Sequence, residues 1–190
     1  ESGTDWNKLK AALVDNFDEN FDKAVNEVGI ELLSLNNRLT YNLFKNVIKT
    51  CSIPSFIKII EDNDLSVVGS EVDIMVDFEK IGKFNAKIDM VLKNPEGKYV
   101  IMDFKWTDGK DKKREEEIKN NMEMQLALYA QAVRQHFGEG DESSVEAIGY
   151  FMLRQGVFIT EYQGLKKSKK VKVVQKQCAD SIFEMVKKSY

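Results

Sequence analysis

Alternating apolar and polar residues mark two neighbouring strands near the middle of the chain. Residues 85–92 and 98–106 are each about one strand long and are rich in β-branched or aromatic side chains. The turn-forming residues 94–97 separate them, so the pattern predicts a β-hairpin. On its second strand Asp103 and Lys105 share a face, because successive side chains point to opposite sides.

Charge at this place in the hairpin is unusual. The second strand is apolar on both faces before Asp103, and Asp89 interrupts an apolar run on the first strand in the same way. Buried strands rarely carry charge unless it is paired or bound to a ligand. Carboxylates on neighbouring strands, with a lysine beside them, can hold a hard divalent cation and direct an ammonium at an anion. The alternative is a surface Asp–Lys pair at a strand end.

Helical periodicity dominates the first part of the chain. Apolar residues recur every three or four positions from Trp6 to Val25, which predicts one amphipathic helix that Gly29 breaks. A second helical pattern runs from Leu32 to Ile48. We therefore expect two helices before the first strand.

A further strand precedes the hairpin and ends at Phe78, where the alternation stops. A turn that pairs Phe78 with Phe84 would place Asp73 opposite Asp89, with Glu71 one diagonal step away. Carboxylates this close repel each other unless a cation lies between them or one of them is protonated. A solvated acidic face is the alternative.

The part of the chain after the hairpin begins with charge. Residues 110–117 predict an exposed loop that leads into a helix ending near Phe137. Within that helix Gln125 and Tyr129 are four residues apart, so they lie on one face. Two more strands are predicted beyond the helix, over residues 145–153 and residues 156–162.

A basic stretch and a last helix follow these strands. The stretch contains Lys166, Lys167, Lys169, Lys170 and Lys172. Such a cluster can follow a phosphate backbone, and solvated lysines before a helix are the alternative. The overall charge adds no support, since 28 basic and 31 acidic residues leave a net charge of −3. Any contact with nucleic acid must therefore come from local patches.

The length of 190 residues predicts a single domain. We expect a helical N-terminal part (1–64), a core of sheet and Gln125 helix (65–162), and a basic stretch with a C-terminal helix (163–190). The chain opens without a methionine, and we expect it to be a domain excised from a longer protein.

Cysteine usage and hydropathy bound the cellular setting. Cys51 and Cys178 are far apart and form no CxxC pair, so no zinc site or disulfide framework is predicted, and the reducing cytoplasm fits. No apolar run reaches about 18 residues, so we expect no membrane-spanning helix and no membrane partner.

Three motifs in order resemble the RecB-type (RecB/AddB) branch of the PD-(D/E)xK nucleases. That branch shows an Ile-Asp on one strand, an Asp-Tyr-Lys-like triplet on the next, and then a Gln-x-x-x-Tyr helix. The matching residues here are Ile88-Asp89, Asp103-Phe104-Lys105 and Gln125 with Tyr129. The similarity covers roughly residues 70–133, about a third of the chain.

The resemblance implies an α/β fold with a restriction-endonuclease-like core. This would be a central mixed sheet, antiparallel in the three-strand meander and flanked by the N-terminal helices and the Gln125 helix. It also implies Mg²⁺- or Mn²⁺-dependent hydrolysis of DNA phosphodiester bonds, with exonuclease action. Relatives are often the nuclease module of a helicase–nuclease in double-strand-break repair, so DNA and a helicase domain or subunit are the implied partners.

The resemblance also assigns roles to residues. Asp89 and Asp103 would ligate the metal, with the Phe104 carbonyl as a third candidate ligand. The metal would polarise the phosphate and make a water more acidic. Lys105 would position that water or stabilise negative charge in the transition state. Glu71, which matches a strand glutamate of the family, would assist as a ligand or as a partner of Lys105.

On the helix, Gln125 and Tyr129 match residues that lie beside the active site in the family. There they contact the substrate or order the site. The alternative is that Tyr129 belongs to the core and that Gln125 is its polar neighbour.

The chain departs from the family pattern at one metal ligand. The family places a histidine on a helix in the second helical region, where this chain offers only Asn36, Asn42 and Asn46, and capping or surface roles are the alternative for these. The only histidine, His136, lies about 16 Å along the helix from Gln125 and is a poor replacement.

This departure keeps a second function open. The chain could be a catalytically inactive nuclease-like module that binds DNA or scaffolds a repair complex. A restriction-type endonuclease is a third alternative, which the Gln-x-x-x-Tyr helix disfavours. Some RecB-type relatives carry a four-cysteine iron–sulfur cluster, which two cysteines cannot build, so no such cluster is expected.

The hairpin register provides an internal test of the nuclease hypothesis. Asp89 and Asp103 must share a face, and a regular four-residue loop that pairs Lys93 with Lys98 would put them on opposite faces. The hypothesis therefore predicts a loop of odd length, or a β-bulge, between Leu92 and Met102.

Overall fold

A six-stranded sheet forms the centre of the protein. The computed structural model describes residues 6–28, 38–78, 82–106, 111–119, 124–161, 164–165 and 168–174. The strands are β1 (Ser66–Phe78), β2 (Gly82–Lys93), β3 (Tyr99–Lys105), β4 (Val145–Met152), β5 (Val157–Thr160) and β6 (Val171–Val173). The helices are α1 (Trp6–Val14), α2 (Phe17–Val28), α3 (Arg38–Val47), α4 (Ile53–Asp62), α5 (Asp111–Lys119) and α6 (Met124–Phe137).

The strands lie in chain order and the sheet is mixed. β1, β2 and β3 form an antiparallel meander, β3 and β4 are parallel, β4 and β5 are antiparallel, and β5 and β6 are parallel. Helices α5 and α6 occupy the connection between the parallel strands β3 and β4. The predicted α/β fold, a mixed sheet flanked by helices, is confirmed.

Each face of the sheet packs against helices. On one face Ile101 of β3 and Tyr150 of β4 are buried with Leu126 and Val133 of α6. On the other face the side chains of the strands pack against α1 and α4, where the Phe56 ring contacts those of Phe104 and Phe151. Strand β3 is apolar and buried up to Met102, and its charged residues Asp103 and Lys105 lie at its C-terminal end.

The pairing predicted for the first two strands is wrong. Phe78 pairs with Gly82 and not with Phe84, so Asp73 stands opposite Lys87 and not opposite Asp89. Strand β2 begins at Gly82, earlier than the alternation suggested. Gly82 has a φ of 114°, a value that few residues other than glycine adopt. The shorter connection shifts the register by two residues, which keeps the faces but changes the partners.

Local hydrogen bonds explain two further differences in the helices. The single helix predicted from Trp6 to Val25 is interrupted at Asp15 and Asn16, where the Asn16 amide donates to the Ala11 carbonyl five residues back, outside the α-helical pattern. The charge-dense run predicted as a loop is helix α5. There Arg114 and Lys113 both pair with Glu117, and Ile118 is buried.

The C-terminal part agrees with the predicted strands at residues 145–153 and 156–162, which are β4 and β5. The basic stretch was predicted to lead into a helix, and residues 171–173 instead add β6 to the sheet. The predicted last helix lies outside the described residues, apart from its start. No helix in the described ranges is both long and apolar enough to cross a membrane.

Candidate functional site

The register of the β2–β3 hairpin brings the two carboxylates of the sequence motifs to one face. Met90 pairs with Met102 and Lys93 pairs with Tyr99, so five residues connect the strands. The prediction of an odd-length loop is therefore confirmed. Continued by one step, the same register sets Asp89 opposite Asp103.

Asp103 is a buried carboxylate with one oxygen left without a hydrogen bond. The residue is 2% exposed, and its Oδ1 accepts a bond of 3.2 Å from Gln125 Nε2. Its Oδ2 lies 2.6 Å from Lys105 Nζ, yet no group in the described part of the chain donates to it at a hydrogen-bonding angle. Burial raises the pKa of Asp103, Lys105 lowers it in part, and the charge of Asp89 raises it further.

Asp89 is joined to the same strand end through the backbone. Its Oδ2 accepts a hydrogen bond of 2.6 Å from the amide of Phe104, the residue between Asp103 and Lys105. The carboxylate is thereby fixed beside the motif on β3. The structure shows the Phe104 amide in this contact, and the Phe104 carbonyl stays a candidate ligand only.

Lys105 lies against an aromatic ring and shares it with a second cation. The lysine Nζ is 5.5 Å from the ring centre of Tyr150, and the Arg114 guanidinium carbon is 5.2 Å from the same centre. Arg114 also lowers the pKa of Asp103 through its charge. The sequence analysis did not predict Arg114 or Tyr150 at the site. Arg114 is the single arginine of the charged run 110–117. Tyr150 lies beside Asp103 because the two residues are partners in the parallel pairing of β3 and β4.

The glutamine and tyrosine of α6 join the site as a chain of hydrogen bonds. Gln125 Nε2 donates to Asp103 Oδ1 and also lies 2.7 Å from the hydroxyl of Tyr129. Burial raises the pKa of Tyr129, and the charge of Asp103 adds to this. The structure thus places the helix motif beside the strand motif.

Glu71 lies near the site but is bound elsewhere. Pairs on either side of it set Glu71 across from Asp89, and its φ of 50° is in the left-handed region that non-glycine residues seldom adopt. Its carboxylate pairs with Lys87 at 2.5 Å, and both side chains are about 60% exposed. The structure therefore shows Glu71 as a partner of Lys87 and shows no contact with Lys105 or Asp103.

The other candidate residues are not brought to the site. Lys166, Lys167 and Asn36 lie outside the described residues. Lys169 is exposed and Lys170 is partly buried before β6, while Asn42 and Asn46 are exposed on α3. His136 is exposed on α6 and contacts the ring of Phe137.

The carboxylate oxygens of Asp89 and Asp103 suit a hard divalent cation that takes only a few of its ligands from the protein. Within the described ranges no group of three or more His, Cys, Asp or Glu side chains is arranged to hold a metal. Two carboxylates remain, Asp89 and Asp103, and the Oδ2 of Asp103 is an unsatisfied buried acceptor. Mg²⁺ commonly binds through one or two carboxylates and completes its shell with waters and substrate phosphates.

Comparison with known proteins gives a family match over most of the chain. No curated protein matches the chain. A family model described as the PD-(D/E)XK nuclease superfamily matches residues 49–188, which include both strand motifs and the helix motif. On this match and the observed fold, the chain belongs to the PD-(D/E)XK nuclease superfamily.

Proposed function

We propose that the protein is a Mg²⁺- or Mn²⁺-dependent exonuclease that hydrolyses phosphodiester bonds of DNA. One observation carries the proposal. Asp89 and the buried Asp103 are held on one face, with the Lys105 ammonium 2.6 Å from Asp103 Oδ2, an oxygen that accepts no well-aligned hydrogen bond from the described residues. A cation bound between the two carboxylates would compensate the negative charge that burial makes costly on Asp103.

The two carboxylates would hold a divalent cation at the strand ends, where a phosphate can approach. Asp89 and Asp103 are the metal ligands, with the Phe104 carbonyl as a third candidate. The cation, when bound, supplies polarisation of the phosphate and a more acidic attacking water. Because the Phe104 amide fixes Asp89, the two carboxylates are oriented before the substrate arrives.

Cationic side chains then act on the negative charge that develops. The Lys105 ammonium, which lies beside Asp103, would donate to the attacking water or to a phosphate oxygen. Arg114, on the same tyrosine ring, adds positive charge at the mouth of the site. Gln125 orients Asp103, and Tyr129 orients Gln125.

Glu71 takes a supporting part in the proposal. Its place across from Asp89 would let it join the ligand set after release from Lys87. The lysines Lys166, Lys167, Lys169 and Lys170 would contact the DNA backbone away from the metal. In the cell the domain would serve a helicase–nuclease that processes double-strand breaks, with the helicase on another domain or subunit.

A second candidate function is a nuclease-like module without activity, which binds DNA or scaffolds a repair complex. The lack of a third clustered ligand in the described part of the chain favours it. The salt contact between Lys105 and Asp103 would then be a permanent structural pair.

Degradation of end-labelled linear DNA and of circular DNA, with Mg²⁺, Mn²⁺ or EDTA, tests the proposal. We expect metal-dependent loss of linear DNA only, and at least a hundredfold slower cleavage by Asp103→Asn and by Lys105→Ala. The matched controls are Asp77→Asn and Lys83→Ala, since this exposed pair at the far end of the β1–β2 hairpin is 4.0 Å apart.

The outcomes separate the candidates. Cleavage of circular DNA would show that the enzyme is an endonuclease and not an exonuclease. Binding of DNA without cleavage, unchanged in Asp103→Asn, would refute the enzyme and support the scaffold. Equal activity of Asp103→Asn and the native chain would show that the carboxylate is not a metal ligand.

A further inference from the structure

We infer that Arg114 binds a phosphate of the DNA substrate beside Lys105, and that it exchanges its ion pair with Glu117 for that phosphate. The inference rests on the proposed function. It adds a substrate-binding residue on helix α5, outside the carboxylates and the lysine of the sequence motifs, and it names the group that this residue releases when DNA binds.

The sheet places Arg114 on the face that carries the two carboxylates. Asp103 and Tyr150 are partners in the parallel pairing of β3 and β4, so their side chains point to the same side. The Lys105 ammonium lies 5.5 Å from the centre of the Tyr150 ring, and the Arg114 guanidinium carbon lies 5.2 Å from it. Both cations therefore contact one ring beside Asp103, close enough to bind the same phosphate or two neighbouring phosphates of a strand.

The Tyr150 ring fixes these cations and leaves them accessible. Tyr150 is 1% exposed, whereas the side chains of Arg114 and Lys105 are 28% and 25% exposed. The ring thus belongs to the core, and the charged ends can meet a ligand from solvent. Because a guanidinium held against a buried ring has already lost much of its freedom, binding a phosphate costs it little conformational entropy.

An acidic residue of the same helix pairs with Arg114. Glu117 Oε2 accepts a hydrogen bond of 2.6 Å from Arg114 Nη1, three residues earlier on α5. Carboxylates and phosphates both accept parallel bonds from the planar fork of a guanidinium, so they compete for the same donors. The Glu117 carboxylate is therefore the competitor that a phosphate displaces.

A second cation keeps Glu117 paired when Arg114 leaves it. Glu117 Oε1 lies 3.4 Å from Lys113 Nζ, while Oε2 faces Arg114. The Glu117 side chain is only 16% exposed, and a carboxylate at this depth is costly without a partner. Because Lys113 stays in place, the exchange leaves no unpaired carboxylate behind, and the lost ion pair is a weak one.

An Arg114 with only a structural role predicts a different result. If the pair with Glu117 served only to stabilise α5, removal of the Glu117 charge would affect DNA binding no more than removal of any other negative charge on this helix. Glu116 provides that comparison, since it is the preceding residue and is exposed.

Equilibrium binding in EDTA tests the exchange without cleavage. We would measure the anisotropy of an end-labelled DNA duplex with a single-stranded tail over a range of salt concentrations. Glu117→Gln should bind about two- to fivefold more tightly than Glu116→Gln, because both variants lose one negative charge but only the first loses the competitor. A gain in affinity cannot result from misfolding.

Substitution of the arginine gives the size of its contact. Arg114→Gln should bind about tenfold more weakly than Lys112→Gln, which removes the same charge from an exposed position of α5. The slope of log K against log salt should fall by about 1 in Arg114→Gln and stay unchanged in Lys112→Gln. Arg114→Lys should keep the slope but lose part of the affinity, because lysine lacks the planar fork.

The outcomes decide the inference separately from the nuclease activity. Equal binding by Glu117→Gln and Glu116→Gln, equal binding by Arg114→Gln and Lys112→Gln, or no binding by the native chain would overturn it. Metal-dependent cleavage together with such equal binding would keep the proposed function and remove Arg114 from it. The expected order of affinities without cleavage in Mg²⁺ or Mn²⁺ would support the phosphate contact and refute the proposed activity.

Discussion

Replacement of Asp103 by asparagine should stabilise the metal-free protein. The Asp103 side chain is 3% exposed, and its Oδ2 accepts no hydrogen bond from the described residues. Burial of a carboxylate whose charge is incompletely compensated costs about 1–3 kcal/mol, in agreement with the raised pKa of Asp103. The attraction of the Lys105 ammonium, 2.6 Å from Oδ2, offsets part of this cost. Asparagine keeps the shape and the acceptor for Gln125 but carries no charge.

The expected net gain is therefore about 1 kcal/mol in the free energy of unfolding. For a chain of this length that corresponds to a rise in Tm of about 2–4 °C. Urea denaturation and thermal melts in EDTA would measure both. With Mg²⁺ at ten times its Kd, the native chain should gain about 1.4 kcal/mol, while Asp103→Asn should gain nothing.

The pH dependence has a defined sign. Burial raises the pKa of Asp103 in the native state, so the folded chain binds this proton more tightly than the unfolded chain does. The destabilisation caused by the Asp103 charge is absent below the ordinary pKa of the unfolded state, about 3.9, and is complete above the raised pKa of the folded state. The advantage of Asp103→Asn should thus vanish in acid and grow as the pH rises through that interval.

A different result would refute this reasoning. Loss of 1 kcal/mol or more by Asp103→Asn in EDTA would show that the carboxylate forms a stabilising structural pair with Lys105. Asp77→Asn is the control, because its side chain is 63% exposed and should change stability by no more than about 0.5 kcal/mol.

Three further predictions concern other parts of the molecule. Gly149→Ala should lose about 3 kcal/mol in urea denaturation, because the added Cβ would lie 2.0 Å from the Ile159 carbonyl oxygen on β5; a change below 1 kcal/mol would contradict that packing. Glu71→Gln should alter stability by less than about 1 kcal/mol, because its pair with Lys87 is exposed, but should slow metal-dependent cleavage if Glu71 joins the ligand set; unchanged cleavage would remove it from the site. Gln125→Leu should raise the metal concentration needed for half-maximal cleavage, because Asp103 loses its orienting donor, and an unchanged metal requirement would refute this role.

The first five strands and the motif residues could be predicted from the sequence, whereas β6 could not. A strand alternates its side chains with a period of two whatever its neighbours are, so Asp103 and Lys105 had to share a face. Helical spacing acts in the same way on α6, where Gln125 and Tyr129, four residues apart, had to share a face. Local geometry suffices for such statements because they compare residues within one element.

Pairing between elements depended on the tertiary structure. The register of β1 against β2 follows from where Gly82 starts the second strand, and the alternation of side chains cannot fix a shift of two residues. The odd loop between β2 and β3 was a requirement of the nuclease hypothesis, and the observed pairing meets it.

The surroundings of the site were decided by packing alone. Tyr150 adjoins Asp103 only because β3 and β4 pair in parallel, and Arg114 joins them only because α5 brings its guanidinium over the Tyr150 ring. More than 30 residues separate Arg114 from Tyr150 in the chain, so no local pattern connects them. The sequence by itself determined which residues carry the chemistry, whereas the tertiary structure decided their neighbours, because contacts across a sheet depend on strand order and register.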